Sequence, residues 1–240
     1  MRVRWLGAAA LTALLAVLAA DQDALAAVLG AVFPGTRGLY PRAPLGTLLL
    51  EHLGLVTVSS AASVAVGLGI GVAVSRPGLR FLRPLGDRLA ALAQTFPPAG
   101  ALALAVPVLG FGFAPTIWAL FLYGTLPVLR GTLAGMDEVP AAALEAAHGL
   151  GFGSAARLVQ VEAPLAFPFL WSGIRTSVVV NVGTATLGAT IGAGGLGAPI
   201  VSGLVTQNYT FVWEGALAVG LLALAVDAWF AVAERARWQR

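Results

Sequence analysis

The sequence contains no cysteine and no lysine. Without cysteine, disulfides, thiolate metal sites and cysteine nucleophiles are excluded. Without lysine, a standard P-loop is excluded, because that loop places a lysine on the β- and γ-phosphates of a nucleotide. Any hydrolysis of ATP that drives this protein therefore has to take place in another polypeptide.

Charged residues are also scarce, at 10% of the 240 residues, whereas hydrophobic residues make up 58%. Soluble domains carry roughly 25% charged residues. The mean hydropathy is +0.88, and several apolar runs approach or exceed the ~18–20 residues that span a bilayer. The composition therefore indicates an all-α integral membrane protein.

Six membrane spans are predicted, at about residues 5–20, 53–74, 89–109, 114–128, 164–191 and 215–232. All 14 basic residues are arginines, and they cluster at the ends of these spans rather than in a stripe that would bind phosphates, so no nucleic-acid partner is expected. Placing the N-terminus inside leaves only Arg37 and Arg42 on the outer side. Both termini and the loop after the fourth span are then predicted to be cytoplasmic.

The first span has two interpretations, because the segment from Met1 to Ala20 fits a cleaved signal peptide as well as a retained helix. The other five spans keep the same orientation in both cases. The predicted organisation is an N-terminal helix and external loop over 1–49, a transmembrane domain over 50–235 with a cytoplasmic hairpin at 137–164, and a cytoplasmic tail over 236–240.

Prolines and glycines interrupt the middle spans. Pro97 and Pro98 are expected to break or kink the third helix, the glycines at 110 and 112 predict a tight turn, and the glycine run at 192–197 predicts the end of the fifth helix. Such breaks mark either a pathway through the protein or simple helix ends near the outer interface. The run also fits G-x-G-x-x-G, but no strand precedes it, so no dinucleotide site is expected.

The hairpin is a polar-faced segment set between two very apolar spans. Asp137 is placed to cap its first helix and Ser154 to cap its second, while Gly149 and Gly151 end the first helix. Pro164 is expected to start the fifth span. An amphipathic loop resting on lipid is the alternative, but acidic residues outnumber arginines here, and an anionic membrane surface attracts basic segments.

The spacing of the hairpin residues resembles the EAA motif of ABC importer permeases, E-A-A-x3-G-x9-I-x-L-P. Valine replaces isoleucine and Ala163 replaces leucine; the matching residues are Glu145, Ala146, Ala147, Gly151, Val161 and Pro164. Segments at 94–98, 107–112, 122–130, 173–176 and 192–197 resemble the osmoprotectant branch of these permeases, which handles glycine betaine, choline and carnitine.

This resemblance implies a type I importer fold with five core transmembrane helices and one N-terminal helix. It implies a non-catalytic permease subunit in the inner (cytoplasmic) membrane, with a second permease subunit, a cytoplasmic ATPase dimer that holds ATP and magnesium, and an extracytoplasmic substrate-binding protein. The six motif residues would contact the ATPase. A permease for methionine or another small solute, and a secondary transporter that works without ATP, are the alternatives.

Polar residues inside the spans are candidates for the translocation pathway. On the fifth span, a helical spacing places three of them on one face with Gly188. That face either lines the pathway or packs against another helix, since small and hydroxyl residues do both. The full candidate set is Gln94, Thr95, Ser177, Asn181 and Thr184.

Two ionisable residues lie well within predicted spans. Charges inside a bilayer usually face the bundle interior and pair, so Arg175 and Asp227 are a candidate ion pair between the fifth and sixth spans. Snorkelling of Arg175 to the inner interface is the alternative. His52 lies at the outer end of the second span and has no second ligand at a suitable spacing, so no metal site is expected.

Overall fold

The computed structural model describes residues 2–33, 38–84, 88 and 95–238, and within these ranges every regular element is helical. The α-helices are α1 (Arg2–Ala20), α2 (Gln22–Val32), α3 (Leu45–Val74), α4 (Pro98–Leu109), α5 (Phe113–Asp137), α6 (Ala141–Gly149), α7 (Ser154–Arg157), α8 (Ala163–Thr184), α9 (Gly197–Thr206) and α10 (Tyr209–Trp238). Short 3₁₀ helices cover Arg80–Leu82 and Ala185–Ile191, and a π-helical turn covers Leu158–Glu162.

Four helical segments of the described chain are long and apolar enough to cross a membrane: Leu45–Val74, Phe113–Asp137, Ser154–Ile191 and Tyr209–Ala236. They confirm the second, fourth, fifth and sixth predicted spans as helices, although each helix is longer than its predicted span. The predicted first span is helical over α1, but it is long and apolar enough to cross a membrane only together with α2, in a pair bent by 108°. Residues 89–94 of the predicted third span lie outside the described residues.

Two helices were missed by the sequence interpretation. Helix α2 starts immediately after α1 because the Asp21 carboxylate accepts hydrogen bonds from the backbone N–H groups of Asp23 and Ala24, at 3.0 and 3.1 Å. This is the N-cap arrangement that satisfies the first free donors of a helix. Helix α9 follows the glycine run and has only 10 residues, too few to cross a membrane by itself.

The chain forms two compact units. The first comprises residues 1–60, 97–121 and 178–240. Its core consists mainly of leucines, including Leu25, Leu29 and Leu55, which are almost fully buried. Helix α1 packs on α10, where Trp229 contacts Trp5 edge-on at 5.5 Å.

The second unit comprises residues 61–96 and 122–177, and close helix packing defines it. A methyl group added at Gly131 of α5 would lie 2.7 Å from the carbonyl oxygen of Phe169 and 2.9 Å from the Cα atom of Gly173, both in α8. Only glycine permits backbones to approach this closely, and small residues are typical of helix contacts in membranes. The second unit contains the whole hairpin.

The predicted breaks are confirmed where the structure describes them. Helix α4 begins at Pro98, after Pro97 in an extended conformation. Gly110 and Gly112 have φ angles of +76° and +94°, and they join α4 to α5. Gly192, at φ +80°, ends the 3₁₀ segment that continues the fifth span.

Candidate functional site

The first arm of the hairpin begins three residues later than the sequence suggested. Helix α6 starts at Ala141, with Pro140 in an extended conformation at the N-cap position. The prediction that Asp137 caps this helix is wrong, because Asp137 is the last residue of α5. A residue before proline is disfavoured in the helical region, so Val139 separates the two helices. The Asp137 carboxylate instead binds both terminal nitrogens of Arg83, one of them at 2.6 Å.

The turn after α6 confirms the expected helix end. The N–H groups of Leu150 and Phe152 donate to the carbonyls of Ala146 and Ala147, both at 3.0 Å. Gly151 has a φ angle of +76°, which glycine adopts without the steric penalty that a Cβ atom would bring. The glycine of the motif is therefore required by the backbone of the turn.

The second arm differs from the prediction, because it is continuous with the fifth span. Gly153, rather than Ser154, occupies the N-cap position of α7. The π-helical turn then leads directly into α8, which begins at Ala163. Pro164 therefore lies in the first turn of α8 and does not start a separate helix. Proline cannot donate a backbone hydrogen bond, and the π-helical turn lies just before it in the chain. The uninterrupted helical segment covers Ser154–Ile191.

A buried carboxylate fastens this second arm to the loop after α3. The side chain of Glu162 is 4% exposed, and its Oε1 atom accepts hydrogen bonds from Arg157 Nε at 2.8 Å and from Arg76 Nη1 at 3.0 Å. A further contact of 2.6 Å joins Arg76 Nη2 to Glu162 Oε2. Sequence reasoning did not single out Glu162. The available signal was an acidic residue between the motif positions Val161 and Pro164, at the entrance to an apolar span.

The six motif residues differ in how accessible they are. Glu145, Ala146, Gly151 and Pro164 are exposed, and Val161 is half-buried. Ala147 is only 3% exposed, so its side chain packs inside the hairpin and could support a contact only indirectly. Sequence reasoning also missed two exposed apolar side chains: Leu150 at the tip is 77% exposed, and Val159 on the second arm is 67% exposed. The accessible surface of α6, the turn after it and the second arm thus combines the Glu145 carboxylate with two large apolar side chains.

The fifth-span candidates occupy different environments. Asn181 is fully buried, and its Nδ2 atom donates to Ser60 Oγ at 3.0 Å. Ser177 is also fully buried, whereas Thr184 is half-buried. Asn181 therefore takes part in packing against α3. A pathway role for this face stays a prediction.

The roles of four further predicted residues stay predictions. Gln94 lies outside the described residues, and Thr95 is exposed just before α4. Arg175 belongs to the second compact unit and Asp227 to the first. Their pairing stays a prediction.

Two neighbouring residues in the N-terminal part of α3 contact the fifth span and the glycine run that follows it. Glu51 Oε2 accepts a hydrogen bond of 2.8 Å from the backbone N–H of Gly195, and His52 Nε2 lies 2.9 Å from the carbonyl oxygen of Val182. A 3₁₀ helix precedes the run, so the strand that a dinucleotide site requires is missing here. Among the described residues, no group of three or more histidine, aspartate or glutamate side chains could hold a metal ion.

Comparison with known proteins places this geometry in a wider context. Residues 65–239 match the family described as binding-protein-dependent transport system inner membrane component. The chain is 41% identical over 183 residues to the osmoprotectant import permease protein OsmY of Salmonella typhimurium, covering 75% of this chain and 78% of that protein. It is 37% identical over 185 residues to the glycine betaine/carnitine/choline transport system permease protein OpuCB of Bacillus subtilis, covering 77% and 84%.

Solved structures support the same fold. A chain of the MetNI methionine ABC transporter, in an inward-facing conformation, superposes with a TM-score of 0.71 and 22% identity, covering 80% of this chain and 95% of that one. A chain of an amino acid ABC transporter superposes with a TM-score of 0.66 and 18% identity, covering 80% and 92%. The predicted type I importer fold is thereby confirmed.

Proposed function

Because this chain belongs to the family of binding-protein-dependent transport system inner membrane components, we propose that it carries a small quaternary-ammonium osmoprotectant across the membrane. As a permease of the ABC importer class it is a transport subunit and not an enzyme. The proposal for the substrate rests on relatives whose names specify osmoprotectants, choline, carnitine and glycine betaine. A permease for methionine or another small solute is the second candidate, since MetNI shares the fold.

The observation that carries the proposed coupling is an exposed turn on a hairpin whose second arm is held at its base. Glu145, Leu150 and Gly151 are accessible at the tip, while Glu162 is buried against two arginines at the base. A partner that grips the tip would move the base with it. Because the second arm continues without interruption into α8, a displacement of the hairpin would pass directly into a membrane-spanning helix.

The proposed assembly follows from this geometry and from the missing lysine. A cytoplasmic ATPase dimer would supply ATP and magnesium and bind the hairpin, with Glu145, Ala146 and Gly151 at the contact and Ala147 supporting it from inside. A second permease subunit would complete the route, and an extracytoplasmic binding protein would deliver the substrate. In this proposal the hairpin and both termini lie in the cytoplasm, and the arginine distribution supports that orientation.

Two substitutions test the coupling role. Glu145→Arg reverses the charge at the tip, and Gly151→Pro cannot adopt the φ angle of +76°, because proline fixes φ near −65°. We expect capture of the ATPase by the purified permease to weaken by about tenfold or more in each variant, equivalent to 1.4 kcal/mol, and uptake to fall with it. Glu138→Arg is the matched control, because Glu138 is an exposed acid just outside α6. Wild-type capture by both test variants would refute the coupling role.

A separate experiment tests the substrate. The reconstituted complex is incubated with its binding protein loaded with glycine betaine, choline, carnitine or methionine, and stimulation of ATP hydrolysis is measured. We expect stimulation by at least one quaternary amine and none by methionine; the reverse pattern would favour the second candidate. Ion-coupled uptake by this chain without an ATPase would contradict the importer assignment and support a secondary transporter.

A further inference from the structure

A cavity of about 280 Å³ lies beside the base of the hairpin, in the second compact unit. Its charged lining residues are Arg76, Arg80, Arg83, Arg157, Asp137 and Glu162. Four guanidinium groups thus face two carboxylates, which leaves an excess of two positive charges in one small space. The coupling proposal uses Glu162 and its two partners, but it does not account for Arg80 or for the cavity itself.

The internal ion pairs do not neutralise this excess. Glu162 is shared by Arg76 and Arg157, and Asp137 is bound by Arg83. Arg80 lies exposed at the rim, and within the described part of the chain it forms no salt bridge. The arginines of the cavity therefore already bind carboxylates, and the cavity keeps an excess of positive charge. Arginine guanidinium groups bind phosphate oxygens through paired, charge-assisted hydrogen bonds.

The position of the cavity along the membrane normal identifies the source of the anion. Helix α3 has 30 residues, so it is about 45 Å long at 1.5 Å per residue. A bilayer with its headgroup layers is about 40–45 Å thick. The C-terminal end of α3, which leads directly into Ser75 and Arg76 of the cavity wall, therefore lies at the level of the lipid headgroups. Basic pockets between transmembrane helices at this level are suited to anionic lipid headgroups.

We propose that this arginine-lined cavity binds the phosphate group of an anionic phospholipid. Arg80 would contact the phosphate directly, and Arg83 would do so in competition with the carboxylate of Asp137. Leu144 of α6 lines the same cavity, so a bound headgroup would contact the coupling hairpin from its inner side. This site is independent of which solute the permease carries.

The test measures lipid retention by the full-length permease in detergent. The protein is exchanged into a neutral detergent with phosphatidylglycerol or phosphatidylcholine, and bound lipid is counted by native mass spectrometry. We expect the wild type to retain phosphatidylglycerol preferentially and Arg80→Gln to bind it about fivefold more weakly, as one basic residue near a membrane surface contributes. Arg88→Gln is the matched control, since Arg88 is an exposed arginine of the same loop that does not line the cavity.

A second variant tests whether removing a negative charge from the cavity strengthens lipid binding. Asp137→Asn removes the carboxylate that competes for Arg83, so we expect tighter retention of phosphatidylglycerol than in the wild type. Equal losses in Arg80→Gln and Arg88→Gln would overturn the proposal, because they would show a diffuse attraction of the whole loop. Losses in both Arg80→Gln and Asp137→Asn would also overturn it, because the shape of the cavity and not its charge would then hold the lipid.

A third arm distinguishes the two sources of the phosphate group. Glycerol phosphate and inorganic phosphate are titrated into lipid-free protein, and thermal unfolding is followed. We expect no stabilisation at millimolar concentrations, because a free headgroup lacks the acyl chains that raise the local concentration of a lipid. Stabilisation of the wild type but not of Arg80→Gln at those concentrations would overturn the lipid assignment in favour of a soluble phosphate ester.

Discussion

The Glu162 carboxylate is expected to be the main electrostatic contribution to the stability of the hairpin base. It makes three contacts of 2.6, 2.8 and 3.0 Å with Arg76 and Arg157. In Glu162→Gln the shape of the side chain is kept, but both arginines lose their anionic partner. Removing one member of a buried ion pair costs about 3–5 kcal/mol.

The exposure of the two arginines determines where in that range the loss in the free energy of unfolding falls. Their side chains are 26% and 27% exposed, against 4% for Glu162, so water partly solvates them after the substitution. We therefore expect Glu162→Gln to lower the free energy of unfolding by about 3 kcal/mol, at the lower end of the range. The variant should also lose capture of the ATPase, because the base of the hairpin would no longer be fixed to the loop after α3.

The assay is an SDS titration of the purified permease in mixed micelles, monitored by tryptophan fluorescence. Glu138→Gln is the matched control, since it neutralises an exposed acid in the same loop. A double-mutant cycle with Arg76→Gln should give a coupling energy within the range of about 0.5–3 kcal/mol found for contacting residues. If the free energies of unfolding of Glu162→Gln and Glu138→Gln differ by less than about 0.5 kcal/mol, the reasoning is refuted, since that is the scale of ordinary surface substitutions.

Two further predictions concern packing in the first unit and in α3. A methyl group at Gly197 would lie 2.2 Å from the carbonyl oxygen of Thr186, so Gly197→Ala should lower the free energy of unfolding in detergent by about 2–3 kcal/mol. Gly69→Ala is the control and should be neutral, because no atom lies within 4 Å of the added methyl group. Equal stability of the two variants would contradict the prediction. Asn181→Ala removes the hydrogen bond of 3.0 Å to Ser60 and should cost about 1 kcal/mol, with uptake per assembled complex unchanged; a selective loss of uptake in normally assembled complexes would instead assign Asn181 to the pathway.

Local rules explain why much of the helical organisation could be predicted. The spans follow from runs of apolar residues, and the breaks follow from the restricted backbone angles of proline and the freedom of glycine. Gly151 is the clearest case, since it was predicted to end the first hairpin helix and does so with a φ angle of +76°. Helices α2 and α9 were missed for the opposite reason: both are too short to give the length signal of a membrane span.

The sequence by itself determined the membrane class of this protein, the helical breaks and the position of the hairpin, because each depends on a few neighbouring residues. Only the tertiary structure decided which side chains hold the hairpin. Arg76 and Glu162 are 86 residues apart, and Arg83 and Asp137 are 54 residues apart. No local preference specifies such pairs; they form because helix packing brings the ends of distant segments together. The same packing buries Ala147, which the motif alone presented as a contact equal to Glu145.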